Sequence, residues 1–385
     1  MAPADPARSS NRSSRRNGGL GPILADAEVC VVAGAGGVGK TTTAAAIGLG
    51  MARRGKRVAV VTIDPAKRLA AALGVDRLEN APSRVTSRRL KAAGIEPVEG
   101  GELWAMTLDS RRTFDELIGR ISPDTVTRDR VLGNRIYREI SGAVAGSQEF
   151  TAIAKLHELE TEGEFDLIVL DTPPSRNAID FLDSPAKLSS FFDGRAVQIL
   201  MRPAGLGMRI AGGGTGLVFA ALKRVTGADF FTDLSDFFSA ISGITGGFSE
   251  RAHAVADLLV APTTAFVVVA APEEAPTAEA IHLAGALRER GMSPRATIAN
   301  RVHSAPGTSR RAVRAAAVRE ELGDELSQRV AVAVDVAAAA AERDSNGVER
   351  LSSGVGSEVM VTVPMLDGEV HDVAGLARIE SALFD

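Results

Sequence analysis

Cysteine is almost missing from this chain: Cys30 is the only one in 385 residues. One chain therefore builds neither a disulfide framework nor a Cys-x-x-C metal clasp. Cys30 itself lies in an apolar run and reads as a small buried side chain. Lysine is scarce as well, seven against 37 arginines. Long apolar runs are lacking. The longest uncharged stretch, Leu258 to Pro272, has 15 residues and contains Pro262; Ile210 to Leu222 and Phe237 to Ser249 have 13 each and carry glycines. All are too short to span a bilayer as a helix. Met1 to Gly19, rich in Ser, Arg, Pro and Ala, has no apolar core of the kind a signal peptide needs. These absences predict a cytoplasmic protein with at most a peripheral place at a membrane. Residues 1–20 read as a disordered basic tail. The net charge of −4 gives no global basic bias, so no nucleic-acid partner is expected.

What is present suits a globular protein, 45% hydrophobic and 24% charged, and long enough to bury a sizeable core. Its most informative stretch is Val31 to Thr43, VVAGAGGVGKTTT. Gly34-x-x-x-x-Gly39-Lys40-Thr41 is the pattern of a phosphate-cradling loop, placed between an apolar run (Val29 to Ala33) and a helix-forming run (Thr41 to Ala52). Its glycines let successive N–H groups point at a polyphosphate, and the helix N-terminus adds its dipole. Gly34, Gly36, Gly37, Val38, Gly39, Lys40, Thr41 and Thr42 are thus the candidate nucleotide-binding residues. Lys40 reaches for the β- and γ-phosphates, and the Thr41 hydroxyl is a magnesium ligand.

Other motifs take meaning from that loop. Arg57 to Ile63 reads as a buried strand ending at Asp64-Pro65. An Asp there faces the ligand crevice of an open α/β sheet and either orients an attacking water or merely caps a helix. Phe165 to Asp171 ends in four aliphatics and an acid, the Walker B form, so Asp171 is a candidate for the magnesium shell. The turn Thr172 to Asn177 is placed to sense a γ-phosphate. Strands are expected at Leu103–Leu108, Phe266–Ala270, Ala296–Ala299 and Val359–Val363. Helices are expected over Ser110–Glu162 with breaks near Pro123 and Gly142–Gly146, over Glu273–Arg290, Arg310–Leu322 and Asp372–Leu383. Pro82 to Gly101 reads as a polar connection with a short helix. Asn300, at a strand end, offers a donor and an acceptor that suit the edge of adenine, or serves as a turn residue. The Asn/Thr-Lys-x-Asp pattern for guanine is absent there, which favours ATP over GTP. Residues 188–259 differ in character, holding eight of the 14 phenylalanines between Phe191 and Phe248. They read as a helical subdomain inserted in the single ATPase domain of residues 21–385. Its apolar stripe fits either an internal core or a groove for an apolar helix.

Taken together, these residues resemble the family of the arsenite-transporter ATPase and the targeting ATPase for tail-anchored membrane proteins. The marks are GAGGVGKTTT, Thr62-Ile63-Asp64-Pro65-Ala66, Gly146-Ser147-Gln148-Glu149, Leu170-Asp171-Thr172-Pro173-Pro174-Ser175, Pro272-Glu273, Asn300-Arg301 and Val363-Pro364-Met365. The likeness runs from about Val29 to Leu383 and is nearest to the actinobacterial branch, in which two dissimilar paralogues pair. It implies an α/β fold, a doubly wound, mostly parallel sheet of the phosphate-loop NTPase class with a deviant (SIMIBI-type) loop. It also implies a nucleotide-driven dimer using ATP and magnesium. By matching motif, Asp64 assists the attacking water, Asp171 holds magnesium, and Asn300-Arg301 with the Pro364 turn contacts adenine.

The departures are as telling. The family's second loop lysine, which crosses the dimer to the partner's phosphates, falls at Ala35. The paired zinc cysteines and the metalloid-binding cysteine triad are missing, so no zinc and no arsenite activation are expected. Asn177 stands where the family usually has a histidine. The resemblance with these departures implies a heterodimer with a paralogue carrying the lysine, a homodimer being the alternative. The expected function is a slow ATPase whose nucleotide state governs binding of an apolar helical client or membrane protein. The other reading is a low-activity, ATP-binding structural subunit supporting a catalytic paralogue.

Overall fold

The computed structural model describes residues 19–63, 68–92, 95–96, 98–140, 147–173, 183, 237, 245–313, 316–368 and 370–385. Among the described residues, eight strands form one sheet: β1 (Val29–Gly34), β2 (Arg57–Thr62), β3 (Ser83–Arg84), β4 (Glu102–Thr107), β5 (Leu167–Asp171), β6 (Thr264–Ala270), β7 (Pro294–Val302) and β8 (Val359–Pro364). Their order is β3-β4-β2-β5-β1-β6-β7-β8, and every pairing is parallel except β3 with β4. Parallel strands covered on both faces need apolar side chains at nearly every position. Accordingly β1, β5 and β6 are buried along their whole length.

The period of two splits each strand between two cores. One core contains Cys30 and Val32, Val58 and Val60, Leu167 and Val169, Ala296 and Ile298, under the helices Lys40–Ala52 and Val373–Phe384. The opposite core contains Val29 and Val31, Ile168 and Leu170, Phe266 and Val268. There they pack on the helices Ser147–Glu162, Thr245–Val260, Glu274–Glu289 and Asp324–Val355. This is the doubly wound α/β architecture expected from the alternation of strands and helices. The chain leaves β1 towards β2 on one side, while β6 joins it on the other. The crevice at the carboxyl end of β1 is therefore a topological switch point, the place where such sheets bind ligands.

Several elements differ from the sequence reading. The connection from Pro82 to Gly101 holds the short antiparallel β3 beside its helix, Ser87–Ala92. The helical stretch from Ser110 also breaks at Asn134, whose side chain accepts from the N–H groups of Ile136 and Tyr137. β7 is longer than Ala296–Ala299 and runs through a bulge, its register to β8 shifting between Ala299 and Val302. The 32-residue helix Asp324–Val355 has no counterpart in the sequence pattern. Val330, Val332, Val334 and Val336 alternate in a way that imitates a strand, and flanking alanines give little amphipathic contrast. Packing decides it: Ser327, Ala331, Ala341, Asp344, Gly347, Leu351 and Val355 are its buried positions. Leu20, assigned to the tail, is fully buried and its N–H donates to Leu383 O at 2.9 Å. The expected subdomain at 188–259 lies outside the described residues apart from Phe237, which is buried, and the start of Thr245–Val260. Among the described residues no helix is long and apolar enough to cross a membrane.

Candidate functional site

The period of two that builds the sheet also aims the site. Thr62 follows Val58 and Val60 on β2, Asp171 follows Leu167 and Val169 on β5, and Asn300 follows Ala296 and Ile298 on β7. Each is the next position on the same face, at the carboxyl end of its strand, beside the loop that follows β1. Register makes this exact in space: Asp171 pairs with Val32 on one side and with Thr62 on the other.

The loop from Gly34 to Lys40 departs from regular backbone where glycine permits it. A Cβ at Gly34 would come within 2.0 Å of Val269 O, so only glycine lets β1 end this close to β6. Gly39 has φ 95°, and a Cβ there would meet Asn300 Nδ2 at 2.3 Å. Gly36 and Gly37 are exposed, and space around Gly37 is open on the side where a Cβ would stand. Lys40 opens the helix and is buried, its Nζ donating to Ala35 O at 2.8 Å. Thr43 N–H donates to Gly39 O at 2.9 Å, the first turn of that helix.

Behind the loop lies the acid. Asp171 is 2% exposed, and its Oδ2 accepts two hydroxyls, Thr41 Oγ1 at 2.7 Å and Thr62 Oγ1 at 2.8 Å. A threonine hydroxyl that donates its proton to Asp171 still carries two lone pairs. Thr41 is therefore oriented to give oxygen to a cation while Asp171 supplies negative charge beside it. The next residue, Thr172, bonds back to β1 through its N–H and its hydroxyl, both reaching Val32 O. An open glycine cradle, a lysine ammonium and a hydroxyl–carboxylate pair form a donor set that fits a magnesium polyphosphate.

On the β7 side, Asn300 is buried and donates from Nδ2 to Val38 O at 2.8 Å, while its Oδ1 accepts from Arg301 N–H at 3.0 Å. Each contact uses part of the amide's capacity, so one N–H and one oxygen lone pair remain for a base edge. Arg301 is exposed and has φ 60°, the sole positive φ outside glycine among the described residues. That left-handed residue is the bulge that lengthens β7. Pro364 ends β8 opposite Val302, whose carbonyl accepts from Met365 N–H at 2.9 Å.

The structure thus brings together the loop residues Gly34 to Thr42, Asp171 and Asn300, with Arg301 and Pro364 on the adjoining strand ends. Asp64 and the turn from Pro174 to Asn177 lie outside the described residues. Ala35 is buried at 4% exposure. Sequence reasoning missed Thr62, although a threonine on the apolar face of β2 was a readable signal. It also missed His303 and Asp344. Asp344 Oδ2 accepts from His303 N–H at 2.9 Å and lies 2.7 Å from His303 Nδ1, which ties the helix Asp324–Val355 to the end of β7. Burial raises the Asp344 pKa, but the His303 N–H and ring, with Arg343, outweigh it and leave the carboxyl below its usual range. Cys30 plays no part here: complete burial pushes its thiol up to about 12.

Comparison with known proteins agrees with this geometry. The family described as anion-transporting ATPase matches residues 27–352. A putative arsenical pump-driving ATPase 1 of Aquifex aeolicus is 26% identical over 248 residues, 64% of this chain and 56% of that protein. An arsenical pump-driving ATPase of Escherichia coli is 32% identical over 165 residues, 42% of this chain and 26% of that protein. The ATPase get3 of Schizosaccharomyces japonicus is 26% identical over 219 residues, 57% of this chain and 58% of that protein. The matched stretches thus span between about a quarter and three fifths of these relatives' lengths.

Proposed function

This chain belongs to the family of anion-transporting ATPases, and from that premise we propose that it binds and hydrolyses ATP as a dimeric switch. Its nucleotide state governs binding of an apolar helical client or a membrane-protein partner. The observation that carries the reading is the convergence of Lys40, Thr41 and Asp171 at the carboxyl end of β1. Lys40 exchanges its bond to Ala35 O for a phosphate oxygen. The N–H groups of the loop and of Thr41 and Thr42 hold the remaining phosphate oxygens. Thr41 and Asp171 hold magnesium, which when bound neutralises charge on the transferring phosphoryl group. Asp64 orients the attacking water. Asn300, with Arg301 and the Pro364 turn, receives adenine, and the absent guanine motif favours ATP. On this reading the protein works in the cytoplasm, with at most a peripheral place at a membrane.

Ala35 supports one refinement. A cation delivered across an interface to the transferring phosphoryl is worth orders of magnitude in rate. A homodimer of this chain has no lysine at that position in either site. The preferred partner is therefore a paralogue that carries the lysine and completes this chain's site without reciprocity. The same residue also favours a second reading, a structural subunit that binds ATP and hydrolyses little.

The decisive experiment measures magnesium-dependent phosphate release by the chain alone, by its Lys40→Ala variant, and by a mixture with the lysine-bearing paralogue. Slow turnover that Lys40→Ala abolishes and the paralogue accelerates supports the switch. Turnover by the chain alone equal to that of any mixture sinks the heterodimer. Copurification with and without Lys40→Ala then separates the readings: a helical client lost on substitution favours the switch, an unchanged partner with no client the scaffold.

A further inference from the structure

The two hydroxyls on Asp171 Oδ2 come from different parts of the fold, and that difference carries a consequence. Thr41 stands in the first turn of the loop helix, the element that takes up nucleotide. Thr62 ends β2, is 2% exposed, and lies in register with Asp171 across the β2–β5 pairing. Its own backbone is held on the other side, where its carbonyl accepts from Leu108 N–H at 2.9 Å. Thr62 is therefore a fixed post in the sheet, while Thr41 must serve both the carboxylate and a cation.

We propose that Thr62 is a positioning residue that sets magnesium affinity at this site, a role that rests on the phosphate-loop reading above. A carboxylate on a strand end turns about its terminal torsion with a broad, shallow preference. The proton of Thr62 pins one oxygen of Asp171 whether or not nucleotide is present. With Oδ2 pinned from the sheet, Thr41 keeps its lone pairs directed outwards. The negative charge also stays beside the position the cation takes, rather than following a single mobile hydroxyl. Hydrogen bonds of this type, one step removed from the metal, typically change its affinity by about 10–100-fold. Thr62 touches neither phosphate nor metal and is not a catalytic residue. Its effect passes through Asp171.

The test uses the full chain and a fluorescent ATP analogue. Thr62→Val keeps the branched shape that suits a buried strand and removes only the hydroxyl; Thr62→Ser keeps the hydroxyl. Nucleotide affinity is measured in EDTA, then during a magnesium titration. Thr62→Val is expected to bind the analogue in EDTA as the unsubstituted chain does. Its half-saturating magnesium concentration should rise by about tenfold, and Thr62→Ser should restore it. Equal magnesium half-saturation in the unsubstituted chain and Thr62→Val overturns the role of Thr62 while leaving the loop reading intact. So does an equal shift in the Val and Ser variants, which marks a packing effect. If the unsubstituted chain binds no nucleotide in either condition, the loop reading falls and this proposal with it. Should Thr62→Val not fold, Thr62→Ala carries the same titration.

Discussion

Asn300 Nδ2 donates to Val38 O across 2.8 Å, joining the end of β7 to the middle of the phosphate loop although 262 residues separate them in sequence. The candidate base-reading residue is thus also a brace for the loop. Gly39 is the residue that admits it, since a Cβ there would collide with the same amide nitrogen.

That double use predicts an order among variants. Asn300→Ala removes the buried bond to Val38 O, worth about 1 kcal/mol net, together with the bond from Arg301 N–H, and should weaken ATP binding by about fivefold to tenfold. Asn300→Asp replaces a donor by an acceptor facing the Val38 carbonyl and adds negative charge beside the phosphates. It should weaken binding more than Asn300→Ala does. Calorimetric titration with ATP and GTP checks the order, and both variants should narrow the preference for ATP. Equal affinities for Ala and Asp would mean the amide does not brace the loop.

Lys40 gives a prediction of opposite sign for function and stability. Its ammonium is buried and bonded to Ala35 O before any phosphate arrives. Burying a charge is costly, and replacement by an apolar side chain of similar length often leaves stability unchanged or higher. Lys40→Met should abolish ATP hydrolysis while the thermal midpoint without nucleotide stays equal or rises. A fall of several degrees in that midpoint would show that the lysine is structural.

Asp344 predicts a pH signature. Its folded pKa lies below the ordinary carboxylate range, because the bonds from His303 and Arg343 outweigh burial. The unfolded carboxyl protonates first, so its contribution is fully present above the ordinary carboxylate range. That contribution is lost as pH falls through the depressed folded value. Asp344→Asn should therefore destabilise the protein by about 1–3 kcal/mol near neutrality. The gap to the unsubstituted chain should close in strong acid. Urea melts from pH 7 downwards test this, and a gap independent of pH would refute it.

Glu380 separates folding from nucleotide chemistry. It is 3% exposed and accepts from Arg53 and Arg54, which follow the loop helix; Arg54 also lies 4.1 Å over the Phe384 ring. Both arginines are more than a third exposed, so their charges return to water easily when the acid is removed. Glu380→Ala should cost about 1–2 kcal/mol by loosening the closing helix. Magnesium-dependent nucleotide affinity should be unchanged. A shift in that affinity would show that the closing helix reaches the site.

Much of this molecule was legible before folding. The loop residues Gly34 to Thr42, the acid Asp171 and the alternation of strands and helices follow from local rules. Glycines permit the turn, a β-branched run makes the strand, and the strand's carboxyl end is where a parallel sheet presents side chains. Ala35 is equally a fact of sequence: no folding adds a lysine there. Tertiary structure decided what depends on partners distant in the chain. It selected Thr62 from among ordinary strand threonines by placing it in register with Asp171. It set the Asn300 amide against Val38, and it paired His303 with Asp344 on a helix whose valines imitate a strand. Local periodicity says which face a side chain takes. Only the order of strands in the sheet determines what it meets on that face, because that order is a global property of how distant segments pack.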